Sequence, residues 1–278
     1  MRVAITGAEG LIGRNIRPFL DDYFDVIAFS REEWDIRDRG RGEELLSTFK
    51  PEVLVNLAAF TDVDGCEEER ELAYSTNVQG PRVLAELCLG FGTKLVHFST
   101  DYVFDGRKGA PYREDDPPNP LSFYGLTKLE GEREVLSRLK DPLVIRTQWV
   151  YGKGREDFPK RIIALSREGE VSVVSDQIGS PTYAKDIGPA LAALLEKGLS
   201  GIFHVANSGA CSWFDFAKEI VEYLGIACRL KPISVSELKR KARRPLYSVL
   251  DTERLRLEAG FAMRHWKEAL KEYLMEGR

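Results

Sequence analysis

Three side chains near the middle of the chain have the types and spacing needed to reduce a carbonyl group: Thr100, Tyr124 and Lys128. Tyr124 and Lys128 are four residues apart, so in a helix their side chains lie on one face. An isolated tyrosine titrates near ~10, and an ammonium group within roughly 4 to 6 Å lowers that pKa. We therefore predict that Tyr124 donates a proton, that Lys128 makes it more acidic, and that Thr100 orients the substrate oxygen.

The N-terminus decides between this prediction and a chance Tyr-x-x-x-Lys pattern in an amphipathic helix. A short apolar strand, residues 2–6, leads into Gly7, Gly10 and Gly13 and then into a helical pattern. Glycines spaced in this way permit a tight turn and the close approach of a pyrophosphate to a helix N-terminus, whose free N–H groups attract anions. The pattern predicts a dinucleotide cofactor at this turn, and with it a carbonyl reduction at Tyr124.

The end of the second predicted strand bears on the choice of cofactor. NAD-specific sites usually place an acidic residue there to hold the ribose hydroxyls. This chain has Ser30 followed by Arg31, and Arg31 and Arg14 could both neutralise a 2′-phosphate. We therefore expect NADPH to be preferred. NADH stays possible, because Asp35 and Asp38 follow closely and could contact the ribose.

Strands and helices alternate through the first part of the chain. That alternation predicts an α/β fold with a doubly wound parallel sheet, whose ligand sites lie beyond the carboxyl ends of the strands. Gly7, Ala59, Thr100 and Trp149 all fall at such ends. A proline-rich loop, residues 111–120, is expected to cover the site.

The last part of the chain is less regular and is predicted to form a smaller, interleaved C-terminal substrate-binding lobe. Helices are expected at about 157–168, 213–224, 235–241 and 265–275. We predict that the dinucleotide-binding (Rossmann) domain comprises residues 1–151 and 183–206, and that the lobe comprises residues 152–182 and 207–278.

Composition argues against several classes of function. The formal net charge of −4 and the pI near 5.7 do not suit a nucleic-acid-binding protein. We see no apolar run that approaches the roughly 18 residues of a membrane span, and the chain starts in a strand-like segment rather than a signal peptide. We therefore expect a cytoplasmic protein that contacts neither nucleic acid nor membrane. The four cysteines and three histidines lack ligand spacing, so no metal site is predicted.

A short basic stretch, residues 239–244, is a local concentration of positive charge. It can be the solvated face of a helix. Alternatively, Arg243 or Arg244 can bind a diphosphate, which a guanidinium group contacts through two hydrogen bonds. Both interpretations stay open from the sequence.

Several motifs follow one another along nearly the whole chain. They are TGAEGLIG (residues 6–13), VNLAAFTDVD (55–64), STDYVFDG (99–106), YGLTKLEGE (124–132), RTQWVYG (146–152), DQIGSPT (176–182) and RRP (243–245). In these motifs the chain resembles the extended short-chain dehydrogenase/reductase superfamily and, within it, the dTDP-4-dehydrorhamnose reductase family.

The resemblance implies that Thr100, Tyr124 and Lys128 are the catalytic residues. It also implies a reaction in dTDP-rhamnose biosynthesis, in which the 4-keto group of dTDP-4-dehydro-L-rhamnose is reduced by NADPH to give dTDP-L-rhamnose. Asp101 and Trp149 are expected to contact the sugar nucleotide together with Thr100 and Tyr124, although a strand-end tryptophan is often a core residue. Arg244 is a further substrate-binding candidate. The cofactor-binding residues predicted from the motifs and the resemblance are Gly7, Gly10, Leu11, Ile12, Gly13, Ser30, Arg31, Asp35, Ile36, Ala58, Ala59, Phe60, Thr61, Phe98, Tyr124 and Lys128.

Alternatives remain within this superfamily. Nucleotide-sugar dehydratases follow the catalytic hydroxyl residue with Asp-Glu, whereas here Asp101 precedes Tyr102, which favours simple reduction. A reductase or epimerase acting on another nucleotide sugar stays open, as does a non-catalytic regulatory subunit like the methionine adenosyltransferase beta subunit. Some relatives are magnesium-linked dimers that use glutamates near the first helix. Position 15 here is asparagine, so we do not transfer the metal site of those relatives to this chain. A homodimer stays an open alternative.

Overall fold

The computed structural model describes residues 1–154 and 156–276, in which twelve strands are formed. They are β1 (Arg2–Thr6), β2 (Asp25–Phe29), β3 (Val53–Asn56), β4 (Lys94–Thr100), β5 (Leu143–Thr147), β6 (Val150–Tyr151), β7 (Glu170–Val174), β8 (Ile178–Gly179), β9 (Thr182–Tyr183), β10 (Gly201–His204), β11 (Cys211–Ser212) and β12 (Arg229–Ile233).

Six of these strands form the central sheet in the order β10-β5-β4-β3-β1-β2, and all of their pairings are parallel. The predicted doubly wound α/β sheet is therefore confirmed. The chain moves outward from β1 to β2 and then returns to β3 on the other side of β1. The strand order thus reverses between β1 and β3, and in such sheets a ligand binds beyond the carboxyl ends of the strands at this point.

Ten α-helices accompany the strands in the described residues. They are α1 (Leu11–Tyr23), α2 (Arg39–Phe49), α3 (Gly65–Glu68), α4 (Arg70–Tyr74), α5 (Gly80–Phe91), α6 (Phe123–Arg138), α7 (Phe158–Ser166), α8 (Ala184–Glu196), α9 (Trp213–Leu224) and α10 (Trp266–Glu276).

Helices bury both faces of the central sheet. Side chains alternate between the faces of an extended strand. On one face, Ile5, Val55 and Ile145 share a core with residues of α1 and α8. On the other, Leu54 and Val144 pack with residues of α2, α5 and α6. Because both faces are covered, the strands read as almost continuous apolar runs, which is typical of parallel sheets.

The predicted long helix at about 67–89 is divided into pieces. Short helices α3 and α4 are followed by a π-helical turn, Ser75–Gln79, and then by α5 with Pro81 in its first turn. The interruption expected near Pro81 is confirmed. The π-helical turn contains Asn77, whose side-chain amide donates to Thr127 in α6 and to the Phe60 carbonyl. This turn therefore connects α6 to the loop that follows β3.

A second core lies outside the central sheet. β7 pairs with β12 in a separate parallel sheet, and α7, α9 and α10 surround a cluster that includes Tyr151, Tyr183 and Phe216. By contrast, α8 packs against α1, and β10 joins the edge of the central sheet. The division of the chain into two domains at the proposed boundaries stays a prediction.

The helix predicted at 235–241 is wrong. Only a 3-10 turn, Val235–Glu237, is formed there, capped by Ser234 and Glu237. The chain beyond it continues without helix, and the Ala242 backbone N–H donates to the side chain of Asp64 at 2.9 Å. The Ala242 N–H therefore bonds to a side chain from the loop after β3 and not to a carbonyl of a preceding helical turn.

Within residues 1–154 and 156–276, each helix is too short or too polar to cross a bilayer.

Candidate active site

Two adjoining cavities lie at the carboxyl ends of the central strands. The first, of about 460 Å³, is lined by the ends of β1 and β3 and by residues 31, 32 and 34–37. The second, of about 390 Å³, reaches from the glycine turn to the ends of β4 and β5. Gly7, Gly10, Leu57 and Ala59 line both cavities. The two cavities therefore form one cleft, divided at the glycine turn.

Most of the predicted site residues line this cleft. Those in the first cavity are Gly7, Gly10, Arg31, Asp35, Ile36, Ala58, Ala59 and Phe60. Those in the second are Gly7, Gly10, Leu11, Ile12, Gly13, Ala59, Thr61, Phe98, Thr100, Asp101, Tyr124, Lys128 and Trp149. Two predicted residues, Ser30 and Arg244, line neither cavity.

The glycine turn brings backbone close to the cleft. Gly7 has φ +68, and a Cβ there would lie 2.6 Å from the backbone nitrogen of Ala58. Gly10 is the N-cap of α1 and provides no side-chain cap, so the first N–H groups of the helix are not used by a cap side chain. A helix N-terminus of this kind attracts anions. The turn can therefore hold a pyrophosphate against bare backbone.

Three arginines line the first cavity, and two of them are engaged. Arg14 forms an ion pair with Glu9. Arg37 contacts both carboxylate oxygens of Asp35, with a shortest N···O distance of 2.6 Å, and its hydrogen bond holds the pKa of Asp35 below its ordinary value. Arg31 has no salt-bridge partner within the part of the chain that the structure describes. Its guanidinium is thus available to a phosphate.

Ser30 has a local structural role. Its backbone N–H donates to the carboxylate of Glu33 at 2.7 Å, and its hydroxyl accepts from the Glu33 N–H at 3.3 Å. These two contacts cap the turn that follows β2. Sequence reasoning placed Ser30 correctly at the strand end but could not foresee that the next turn would use its hydroxyl.

The three candidate catalytic side chains meet in the second cavity. β4 ends at Thr100, and α6 begins at Phe123, capped by the Ser122 hydroxyl, which accepts from a backbone N–H at 3.2 Å. Tyr124 and Lys128 therefore lie in the first two turns of α6, directly over the end of β4. The Lys128 amine donates to the carbonyl of Phe98 at 2.6 Å.

The electrostatics of this site are dominated by burial. Burial raises the pKa of Tyr124 above its ordinary value, and the Thr100 side chain opposes that rise. Burial also lowers the pKa of Lys128 to about 8 and raises the pKa of Asp101 to about 6. The predicted net lowering of the Tyr124 pKa is wrong for this arrangement, because desolvation of the buried phenol is the largest effect and the Lys128 amine is directed at the Phe98 carbonyl.

Trp149 forms one wall of the second cavity in a constrained conformation. It has φ +46, which is uncommon for a residue with a side chain. Its ring lies so close to Gly179 that a Cβ added at Gly179 would have no room. Its ring stacks on that of Trp213, with centroids 3.6 Å apart and planes 7° apart. Trp213 opens α9 in the second core, and sequence reasoning missed it. The start of α9 was predictable from the sequence. The contact with Trp149 was not, because the two tryptophans are 64 residues apart in the chain.

Arg244 connects the segment that follows the Val235–Glu237 turn to the loop after β3. Its guanidinium binds both carboxylate oxygens of Asp64, at 2.8 and 3.1 Å, and holds the pKa of Asp64 at about 2. The Tyr102 side chain, which does line the second cavity, also interacts with Arg244. The Tyr102 ring contacts that of Tyr124 edge to face, with 5.5 Å between the ring centroids. Arg243 is exposed.

Among the described residues, no group of three or more His, Cys, Asp and Glu side chains could hold a metal ion. The side chain of Asn15 pairs with the backbone of Lys153: it donates to the carbonyl at 2.9 Å and accepts from the N–H at 3.0 Å. Asn15 thus anchors the loop that begins after β6.

A parallel sheet with a glycine turn at its reversal point, and a Thr, Tyr and Lys set in the same cleft, defines an NAD(P)-dependent oxidoreductase of the short-chain dehydrogenase/reductase class. All 278 residues match the family described as RmlD substrate binding domain, and the chain belongs to that family.

Named relatives agree with this assignment. The chain is 42% identical to the spore coat polysaccharide biosynthesis protein SpsK of Bacillus subtilis, over 99% of this chain and 97% of that protein. It is also 42% identical to a dTDP-4-dehydrorhamnose reductase of Streptomyces griseus, over 98% of this chain and 92% of that protein.

Solved structures agree as well. A dTDP-4-dehydrorhamnose reductase from Bacillus anthracis, crystallised with NADP, superposes with a TM-score of 0.96 at 38% identity, over 99% of both chains. UDP-glucose 4-epimerase from Thermus thermophilus, at 22% identity and a TM-score of 0.84 over 99% of this chain and 98% of that chain, shares the fold.

Proposed function

We propose that this protein reduces the 4-keto group of dTDP-4-dehydro-L-rhamnose with NADPH and releases dTDP-L-rhamnose and NADP⁺. The observation that carries the proposal is the placement of Thr100, Tyr124 and Lys128 around one cavity that continues into the glycine turn. The relative from Streptomyces and the NADP complex from Bacillus anthracis support the choice of substrate and cofactor.

In the proposed reaction, NADPH supplies a hydride to the sugar C4 carbon when it is bound in the cleft. Tyr124 gives its phenolic proton to the keto oxygen, so that the carbonyl becomes a secondary alcohol. A raised pKa keeps the Tyr124 phenol protonated until this step. The Lys128 ammonium stabilises the phenolate that forms, and Thr100 orients the oxygen.

The proposal is tested by mixing the protein with NADPH and dTDP-4-dehydrorhamnose. NADPH absorbance is expected to fall, with dTDP-rhamnose as the product identified by mass spectrometry and NMR. UDP- and GDP-linked 4-keto sugars serve as competitors, because the same cleft chemistry acts on any keto sugar that fits. Faster turnover of one of these would replace the proposed substrate.

The substrate side of the second cavity is proposed to include Asp101 and Trp149. The Trp149 indole presents an apolar wall to the sugar ring, and its stacking on Trp213 fixes that wall in place. A role for Arg244 in binding the diphosphate stays a prediction. Its guanidinium is paired with Asp64, so a diphosphate would have to compete with that carboxylate. A homodimer and a cytoplasmic location likewise stay predictions, the former testable by light scattering.

The glycine turn provides a matched pair of variants for cofactor binding. Gly7 and Gly92 have nearly equal backbone angles, φ +68 and +67, but only Gly7 has backbone within reach of a new Cβ. We expect Gly7→Ala to weaken NADPH binding at least about tenfold, because Ala58 must move within the cleft. Gly92→Ala carries only the cost of the left-handed conformation, about 1 kcal/mol of unfolding free energy. Equal NADPH affinities, measured by fluorescence titration, would contradict a cofactor site at this turn.

Arg31 is proposed to select NADPH over NADH. We expect Arg31→Ala to reduce kcat/KM for NADPH by a factor of about ten or more, because a charge-assisted hydrogen bond to the 2′-phosphate is lost. The value for NADH is expected to change little. Arg41→Ala is the control, because its guanidinium pairs with Glu44 at 2.7 Å and does not line the cleft. If Arg31→Ala lowers kcat/KM equally for NADPH and NADH, another group recognises the 2′-phosphate.

A further inference from the structure

A buried ion pair lies directly behind the candidate catalytic residues. Arg146 on β5 contacts the two carboxylate oxygens of Glu132 on α6 at 2.9 and 2.7 Å. The two side chains are only 3% and 1% exposed. Both belong to motifs identified in the sequence, yet neither lines the cleft. The reaction described above gives them no role.

The Glu132 carboxylate also reaches the end of β4. It accepts a short hydrogen bond from the hydroxyl of Ser99, the residue between Phe98 and Thr100. Lys128, one helical turn before Glu132, donates to the Phe98 carbonyl at 2.6 Å. Two successive residues of β4 are therefore joined to two successive turns of α6. The end of β4, which carries Thr100, is thus tied to α6 at two points.

We propose that Glu132 is a positioning residue for the reduction: its carboxylate, held by Arg146, fixes the end of β4 against α6 and supplies the negative charge that faces the Lys128 amine. This inference rests on the proposed function.

A purely stabilising role accounts poorly for the pair. Burying two charges costs several kcal/mol per ion, and a well-packed apolar pair of similar volume often gives equal or greater stability. An apolar pair could not bind the Ser99 hydroxyl or place a charge one turn from Lys128. Specific contacts at the end of β4 are what the charged pair provides.

The charge of Glu132 acts on Lys128 against burial. Burial lowers the pKa of Lys128 to about 8, while the Glu132 carboxylate opposes that shift. Burial raises the pKa of the Cys66 thiol of α3 to about 12, so this neighbour of Lys128 stays neutral. His97 of β4 also faces Lys128, and burial keeps the pKa of His97 well below its ordinary value, so it stays neutral. Tyr124 lies one turn earlier on α6 and stays protonated. Without Glu132, the ammonium is expected to be lost at lower pH.

The test compares variants that keep or remove this carboxylate. Glu132→Gln alone leaves a buried, unpaired guanidinium and is expected to fold poorly. The double variant Glu132→Gln with Arg146→Gln removes both charges and is the main test. Ser99→Ala removes only the contact with β4 and keeps the charge. Asp186→Asn is the control, because both carboxylate oxygens of Asp186 contact Arg264, at 2.6 and 2.9 Å, in a less buried pair outside the cleft.

The readout is kcat/KM for the sugar nucleotide as a function of pH, at saturating NADPH. When the pH is raised from about 6.5 to about 8.5, kcat/KM of the double variant is expected to fall by a factor about ten times larger than that of the wild type. Ser99→Ala is expected to lower kcat with an unchanged pH profile. Asp186→Asn is expected to lower Tm and leave the profile unchanged.

A folded double variant with the wild-type profile would overturn the inference. A second measurement keeps it separate from the proposed function: NMR titration of ¹³C-labelled lysine, with the Lys128 signal assigned by Lys128→Arg, needs no turnover. The Lys128 midpoint is expected to fall in the double variant and to stay in place in Asp186→Asn. If the wild type oxidised no NADPH, the proposed function would fail while this titration still decided the role of Glu132.

Discussion

Replacing Tyr124 with phenylalanine is expected to lower kcat for reduction of the keto sugar by a factor of about 10² to 10⁴, the range for loss of a positioned proton donor. The change removes one hydroxyl from a side chain that lines the second cavity and sits one helical turn before Lys128. The phenyl ring keeps its edge-to-face contact with Tyr102, so the cavity keeps its shape. The affinity for NADPH, measured by fluorescence titration, is expected to stay within about twofold.

Tyr151→Phe is a matched control for this variant. Tyr151 is also buried, and its hydroxyl has no hydrogen-bond partner in the described part of the structure. It does not line either cavity. Removing that hydroxyl is expected to leave kcat unchanged and Tm equal or higher, because an unsatisfied polar group is lost. If Tyr124→Phe retained wild-type kcat, the proton would have another source and the proposed mechanism would be wrong.

The second large effect is expected from Lys128→Met, which removes the ammonium beside the developing phenolate. We expect kcat/KM to fall by at least about a hundredfold. The wild-type enzyme should reveal the same group in its pH dependence. Because the pKa of Lys128 is lowered to about 8, the ammonium is present below that pH and is lost above it. Reduction is therefore expected to slow as the pH rises through about 8, and the methionine variant should lack this step.

Lys94→Met is the control for this pair of results. Lys94 lies at the opposite end of β4, donates to the Leu199 carbonyl at 2.8 Å, and has a pKa that burial lowers. It resembles Lys128 in chemistry and differs in place. An unchanged pH profile in Lys94→Met and a lost alkaline step in Lys128→Met would assign the step. A wild-type rate that stayed level to about pH 10 would exclude Lys128 as the titrating group.

The site was predictable from the sequence where local patterns fix it. The glycine turn lies between a strand and a helix, and its conformational demands are visible in the residue types. Thr100, Tyr124 and Lys128 could be brought together because consecutive strands of a parallel sheet end at one edge and a four-residue spacing defines a helix face. These inferences need only the alternation of strands and helices.

Contacts between distant parts of the chain were not predictable. Asp64 and Arg244 are 180 residues apart, and they meet in a basic stretch that looked helical but contains no helix. Trp213, which packs against the second core, stacks on Trp149, which follows β5 and lines the cleft. Burial likewise decides the pKa values, and neither the enclosure of Tyr124 nor the direction of the Lys128 amine can be read from residue types.

The contact between the two indoles has an optical consequence. Rings stacked at 3.6 Å couple their electronic transitions, so Trp149 and Trp213 should give a paired signal of opposite signs in the far-ultraviolet circular dichroism spectrum. One ring follows the end of a central strand and the other opens a helix of the second core. This signal therefore reports how the end of the central strand packs against the helix of the second core, and it can be measured without any added label.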